Sequence, residues 1–209
     1  MKKTLIYFLI STILISCSTL ESKELKLNNT IAETFNESEI KDLQILFDFF
    51  NEQICGSKDM NNDSLTECYE NYCSQIKKEF KSKYTFDTKI DFNQQLEIYE
   101  QLDTSTFKQI WYFGRHRIIR KQKDTLDFKE ISLASNKKYS KFLEKYGEEN
   151  NTIKNYIKRL KAAGDITPTM NSSLIMAYER YNLSDIRTKL MIAIHYLTIN
   201  DQFFRQEKY

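Results

Sequence analysis

The residues best suited to contact another molecule lie between Trp111 and Lys123, where the chain reads WYFGRHRIIRKQK. This run holds the one tryptophan of the protein, followed by a series of basic side chains. Arginine binds phosphate and carboxylate groups through two parallel hydrogen bonds, and Trp and Arg are frequent at the energetic centre of protein interfaces. The candidate partner-binding residues are therefore Trp111, Tyr112, Arg115, His116, Arg117 and Arg120.

A plainer interpretation places Trp111 in the core and lets the arginines neutralise acidic residues elsewhere in the chain. The residues between Ser18 and Asp103 are acidic overall, and those from Thr104 to Tyr209 are basic overall. We expect these two halves to compensate each other within the fold.

Few other residues have the chemistry that catalysis needs. The chain has two histidines, His116 and His195, and it contains no G-x-S-x-G, H-E-x-x-H, P-loop or G-x-G-x-x-G motif. His195 lies in an apolar stretch, where it is either a buried acid or base or a core histidine that hydrogen-bonds to a tyrosine or a backbone carbonyl. We expect the core role, and we predict no catalytic residue, no metal site and no cofactor.

The first seventeen residues, MKKTLIYFLISTILISC, have the pattern of an export signal. Two lysines precede a short apolar run, and the small residue Ser16 stands directly before Cys17. The apolar run is shorter than the roughly 20 residues that a membrane-spanning helix needs. The last four residues of this segment, Leu14 to Cys17 (LISC), resemble the lipobox of bacterial lipoproteins.

That resemblance implies that residues 1–16 form a signal peptide that is removed and that Cys17 is acylated with diacylglycerol and palmitate. The mature chain would then be anchored to the inner or outer membrane, facing the periplasm or the cell surface. We expect no nucleic-acid partner there, so the basic run fits anionic lipid headgroups, envelope polysaccharide or an acidic protein surface. An ordinary cleaved signal with an incidental cysteine is the alternative.

Three cysteines remain after Cys17, and a compartment outside the cytoplasm permits a disulfide. Cys68 and Cys73 stand about 140° apart around one predicted helix, so their side chains diverge. Cys55 ends the preceding helix, and Cys68 lies one turn into the next. We therefore predict a Cys55–Cys68 disulfide and a free, buried Cys73. A zinc site is disfavoured because no histidine lies nearby.

The spacing of apolar residues predicts a mainly α protein, a bundle of about seven helices. Four glycines and one proline are too few for the turns of a sheet-rich fold. Capping boxes at Asn36 and Ser64 predict two helix starts. Gly56, Gly147 and Gly164 are each placed to end a helix.

One stretch departs from the helical pattern. Residues 125–133 read TLDFKEISL and alternate like a strand. The basic run before them could extend a helix, but the alternation favours a short β-hairpin near 116–132, with its turn around Lys123-Asp124. The last helix, from about Ser184 to Arg205, is apolar on nearly every side, which predicts a buried central helix.

These patterns divide the chain into a signal peptide (1–16), a polar tether (17–34) and a single helical domain (35–209). We expect a lipid-anchored envelope protein that binds another envelope protein or an incoming protein, as accessory or immunity-type lipoproteins do. A small envelope hydrolase that uses Asp and Glu carboxylates is one alternative, and a structural spacer or assembly factor is another. A deep cleft with converging carboxylates would favour the hydrolase, and an exposed aromatic and basic surface would favour binding.

Overall fold

A computed structural model of the chain describes residues 24–119 and 125–208. Within these two ranges it has nine α-helices, two 3-10 turns and one antiparallel β-hairpin, so the predicted mainly α fold with a small hairpin is confirmed. None of the described helices combines the length and the apolar character that crossing a membrane requires. Four predicted features lie outside the described residues: the signal peptide, Cys17, Arg120 and the turn around Lys123-Asp124.

The elements follow one another along the chain with short connections. The helices are α1 (Asn29–Thr34), α2 (Glu37–Cys55), α3 (Asn62–Lys83), α4 (Phe92–Gln101), α5 (Thr104–Ile110), α6 (Lys138–Glu149), α7 (Asn151–Ala163), α8 (Pro168–Met176) and α9 (Ile186–Phe204). The 3-10 turns are Leu25–Leu27 and Tyr178–Arg180. The strands are β1 (Trp111–Ile119) and β2 (Thr125–Leu133).

Local capping chemistry sets the ends of α2. The Asn36 side chain accepts a hydrogen bond from the Glu39 backbone at 2.9 Å, and the Glu39 carboxylate accepts one from the Asn36 backbone at 2.8 Å. Gly56 ends the helix with a φ of 71°, a left-handed conformation that glycine adopts without strain. Both ends therefore lie where the sequence predicts them.

The start of α3 differs from the prediction. Asn61, and not Ser64, is the capping residue, since its side chain accepts a hydrogen bond from the Ser64 backbone at 2.9 Å. Asparagine is at least as good a cap as serine, and capping at Asn61 lengthens the helix by one turn.

Gly147 does not end a helix, contrary to the prediction. It lies inside α6 and is buried where α7 approaches most closely. A Cβ added to Gly147 would lie 3.0 Å from the Cα of Lys154 on α7. The glycine is therefore needed for close packing of two helices rather than for a left-handed turn.

The predicted tether is wrong for residues 24–34. Instead of a free polar segment, these residues form the first 3-10 turn and α1, and Leu25 and Ile31 are completely buried in the core. The Leu25 backbone donates a hydrogen bond to the Gln44 side chain of α2 at 3.0 Å. The folded body thus includes Leu25–Leu27 and Asn29–Thr34, which the sequence pattern assigned to the tether.

Helix α9 passes through the centre of the molecule, as its all-round apolar pattern predicts. Every residue from Thr188 to Asp201 is buried. A disulfide joins Cys55 at the end of α2 to Cys68 on α3, which is the pairing expected from the sequence. Cys73 is a buried free thiol, and its burial raises the pKa of the thiol to about 12.

Ion pairs connect the acidic first half of the chain with the basic second half. Lys138 contacts Glu39 at 2.6 Å, and Lys145 contacts Glu33. Both pairs join α6 to the N-terminal part of the fold, so part of the charge asymmetry is compensated internally.

Candidate partner-binding site

The aromatic and basic run forms strand β1 of the hairpin. It is paired with β2 so that Phe113 lies opposite Ile131 and Arg117 opposite Asp127. Because side chains alternate along a strand, the odd-numbered residues of this run share one face of the hairpin and the even-numbered residues share the other. The candidate residues are therefore divided between two surfaces.

Trp111 does not belong to the exposed surface, so its assignment as a partner-binding residue is wrong. Its side chain is completely buried, and the indole Nε1 donates a hydrogen bond to Thr198 Oγ1 of α9 at 2.8 Å. The indole also packs against Tyr99 and Phe107. Trp111 anchors the base of the hairpin to the central helix.

The next two aromatic residues are exposed. Tyr112 is 48% exposed and Phe113 is 41% exposed. Phe113 stacks on Phe107 of α5, with ring centroids 5.5 Å apart, and the Arg205 guanidinium lies 4.8 Å from its ring. The ring is thus held in place on one face while the remainder of its surface meets solvent.

Two arginines of β1 converge on one carboxylate of β2. Arg117 donates two hydrogen bonds to Asp127, at 2.9 and 3.3 Å, and Arg115 lies 3.4 Å from the same carboxylate. The hydrogen bonds from Arg117 hold the pKa of Asp127 below its usual value. Both arginines are therefore paired within the hairpin. Exposed pairs of this kind contribute little to stability, and two of the five N–H donors of the Arg117 guanidinium are directed at Asp127.

His116 lies on the other face of β1. Its Nδ1 is 3.3 Å from a carboxylate oxygen of Glu130, and both side chains are partly exposed. They border a shallow depression of about 580 Å³ that Phe128 and Lys208 also line.

The outer edge of β2 is covered by other parts of the fold. The Lys129 backbone donates a hydrogen bond to the Glu207 carbonyl at 2.8 Å, and the Leu133 backbone donates one to the Asp165 side chain at 3.0 Å. The carbonyl of Ile131, between them, accepts a hydrogen bond from a glutamine of α9 at 2.9 Å.

The outer edge of β1 is different. Antiparallel partners point their backbone groups alternately toward and away from each other. On β2 the backbone N–H and C=O groups of the odd-numbered residues point away from β1, as the outward hydrogen bonds of Lys129 and Leu133 show. Each odd-numbered residue of β2 lies opposite an odd-numbered residue of β1. The backbone groups of Phe113 and Arg117 therefore point away from β2. Among the described residues, β2 is the sole strand neighbour of β1, and no hydrogen bond reaches the outward backbone groups of Phe113 or Arg117.

Two buried carboxylates and His195 have partners within the fold. Two carboxylates buried in the core accept structural hydrogen bonds: Asp42 from the Asp103 backbone at 3.1 Å, and Asp201 from Arg205 at 2.6 and 2.7 Å. Burial raises the pKa of Asp201, and the hydrogen bonds from Arg205 oppose that rise. Residues 24–119 and 125–208 hold no group of three or more His, Cys, Asp or Glu side chains arranged for a metal ion.

His195 has the core role that its apolar surroundings predict. The Tyr156 hydroxyl lies 2.9 Å from its Nδ1, and the Asn171 Oδ1 lies 3.1 Å from its Nε2. A neutral ring fits these partners, because Nδ1 can accept from the hydroxyl while Nε2–H donates to the amide oxygen. Burial lowers the pKa of His195 to about 3.

Sequence reasoning selected Tyr112, Arg115, His116 and Arg117, which are exposed on the hairpin, but it wrongly included Trp111 and missed Phe113. The alternation in TLDFKEISL predicted the second strand, but nothing local indicated that residues 202–207 would cover the outer edge of β2 while no described residue hydrogen-bonds to the outward groups of Phe113 and Arg117. Comparison of the chain with family models, curated proteins and solved structures gave no match.

Proposed function

We propose that this protein is a lipid-anchored envelope protein that binds an extended segment of another envelope protein, or of an incoming protein, along the outer edge of β1. The anchoring part rests on the resemblance of the LISC sequence ending at Cys17 to a lipobox, which implies that the mature chain is held on the inner or outer membrane outside the cytoplasm. The Cys55–Cys68 disulfide supports an oxidising compartment, because such bonds are rare in the cytosol.

The open edge of β1 is the observation that carries the binding proposal. An uncovered strand edge offers a row of N–H and C=O groups to which an extended peptide can add as a further strand. Here the outer edge of β2 is covered, whereas among the described residues no hydrogen bond reaches the outward backbone groups of Phe113 and Arg117 on β1.

The side chains beside this edge suggest what the partner segment contains. Phe113 offers an exposed aromatic ring near the base of β1, and Arg117 offers guanidinium donors further along the same face. A segment with an apolar side chain followed by an acidic one, at strand spacing, would complement both. We therefore propose an acidic, extended peptide as the ligand.

A substitution to proline at Arg117 tests the edge directly. Proline removes the outward N–H, while the hydrogen bonds to β2 lie on the other residues of the alternation and are retained. Arg117→Ala is the matched control, since it loses the guanidinium and keeps the N–H. Envelope proteins that are captured by the wild type, captured more weakly by Arg117→Ala and lost with Arg117→Pro would support addition of an acidic segment as a strand.

The same comparison separates the proposal from its alternatives, provided that circular dichroism and thermal melting show both variants folded. Equal capture by Arg117→Pro and the wild type would contradict edge binding. Loss with both variants would assign binding to the guanidinium alone. If the wild type captures no envelope protein, a spacer or assembly role is the better account. The hydrolase has less support, because buried Asp42 and Asp201 already accept structural hydrogen bonds.

The anchor has its own test. Cys17→Ala should leave an uncleaved, unacylated precursor, and mass spectrometry of the wild-type N-terminal peptide should find lipid on Cys17. An unmodified thiol in the native protein would contradict the anchoring part of the proposal.

A further inference from the structure

The segment Leu25–Phe35 is fixed to the body of the protein. Leu25 and Ile31 are completely buried, and Phe35 is nearly so. The ring of Phe35 packs on Phe142 of α6, with centroids 6.1 Å apart, and the Leu25 backbone donates a hydrogen bond to Gln44. Among the described residues, the chain is therefore fixed to the body from Leu25 onward.

This attachment limits how far the body can lie from a lipid on Cys17. Seven peptide steps separate Cys17 from Glu24, and each spans at most ~3.6 Å, so the two are at most about 25 Å apart in any conformation. A lipid on Cys17 lies in the bilayer, so Glu24 lies within about 25 Å of the membrane surface. This step rests on the lipid anchor of the proposed function.

The surface next to Glu24 is a groove between this segment and the outer face of α2. Its volume is about 1070 Å³. Leu27, which is 63% exposed, and Ile40 contribute apolar surface to it. Lys41 and Glu37 lie among the groups of both charges that surround the apolar part.

We propose that this groove rests on the phospholipid surface, with Leu27 at the boundary between headgroups and acyl chains. Exposed leucine favours that boundary, and lysine can keep its amine at the phosphates while its stem lies along apolar surface. Because Glu37 and Lys41 place a carboxylate and an amine beside the apolar part of the groove, its charge complements a zwitterionic headgroup such as phosphatidylethanolamine. The anchored domain then has a defined orientation and does not rotate freely on a long tether.

Fluorescence quenching by brominated lipid tests this orientation in the full-length lipidated protein. Leu27→Trp places a reporter in the groove. Met176→Trp, at a side chain that is 40% exposed at the end of α8, is the matched control. Both are reconstituted into vesicles of phosphatidylethanolamine and phosphatidylcholine brominated near the head of the acyl chain, and the signal of buried Trp111 in the wild type is subtracted.

We expect at least twofold quenching of the tryptophan at position 27 and little quenching at position 176, without any anionic lipid. Equal quenching at both positions, or none at position 27 in vesicle-bound protein, would overturn the orientation. A blue shift at position 27 without bromine quenching would do the same, because it would mean that a protein covers the groove. Failure of the wild type to sediment with vesicles would instead contradict the lipid anchor, so the two failures can be distinguished.

Discussion

Acidification should destabilise this protein through one buried side chain, His195. The ring is neutral in the folded state, where Tyr156 and Asn171 contact its two nitrogens. Protonation would put a second N–H on the ring, facing the Tyr156 hydroxyl, and would bury a charge among apolar residues of α9. For this reason burial lowers the pKa of His195 from 6.5 to about 3.

The size of the effect follows from proton linkage. Above pH 6.5 the ring is neutral in both the folded and the unfolded chain, so His195 contributes no pH dependence. Between pH 6.5 and 3 the unfolded chain binds a proton that the folded protein does not, and the free energy of unfolding falls by about 1.4 kcal/mol per pH unit. At pH 5 the expected loss is about 2 kcal/mol.

The assay is urea unfolding at pH 7.5, 6.5, 5.5 and 5.0 for the wild type and for His195→Gln. The glutamine amide can reach the position of Nε2 and donate to Asn171, but it does not titrate. The pKa values of other groups are shifted as well. The raised pKa of Asp201, for example, increases the free energy of unfolding on acidification, which opposes the effect of His195. The decisive quantity is therefore the difference between the two pH profiles, which should reach about 2 kcal/mol at pH 5.

Equal pH slopes in the two proteins would refute the reasoning. A second measurement covers the case in which His195→Gln does not fold. The chain has two histidines, so NMR titration of the wild type can follow His195 separately from the half-exposed His116. A resonance of His195 that titrates near pH 6.5 in the folded protein would be equally decisive against a buried neutral ring.

Two further predictions concern the disulfide and the contact between α6 and α7. Replacing both Cys55 and Cys68 by serine should lower the free energy of unfolding by about 3 kcal/mol, because the disulfide closes a loop of sequence separation 13 in the unfolded chain. A reductant should lower the urea midpoint of the wild type by a matching amount and leave that of the double variant unchanged. Gly147→Ala should lower the melting temperature, because its Cβ would lie 3.0 Å from the Cα of Lys154. Gly114→Ala, where the nearest atoms are 3.8 Å away, should not. An unchanged melting temperature for Gly147→Ala would mean that the two helices can separate at little cost.

Much of the fold could be predicted because the signals are local. The capping box at Asn36 and the left-handed glycine at Gly56 both depend on residues within one turn, and both are found where the sequence places them. The Cys55–Cys68 pair follows from the same local geometry, since it needs only two neighbouring helices and a short loop. The burial of α9 follows from the apolar residues around its whole circumference.

Other features depended on contacts between residues far apart in sequence. The short polar segment that contains Leu25 and Ile31 shows no helical pattern of apolar residues. These two residues are buried because the segment packs against α2 and α6. The same is true of Gly147, whose role is set by the backbone of Lys154 on another helix. Trp111 was predicted to lie at an interface, but its buried indole hydrogen-bonds to Thr198 of α9.

The sequence by itself indicated which residues have side chains suited to binding a ligand and, through LISC, where the chain is expected to be anchored. Only the tertiary structure decided which of those residues meet solvent. Hydrogen bonds from the C-terminal segment and from Asp165 and Gln202 cover the outer edge of β2, whereas in the described part of the chain none reaches the outward groups of Phe113 and Arg117 on β1. No local pattern encodes that difference, because the covering residues lie some 30 to 80 positions away in the sequence.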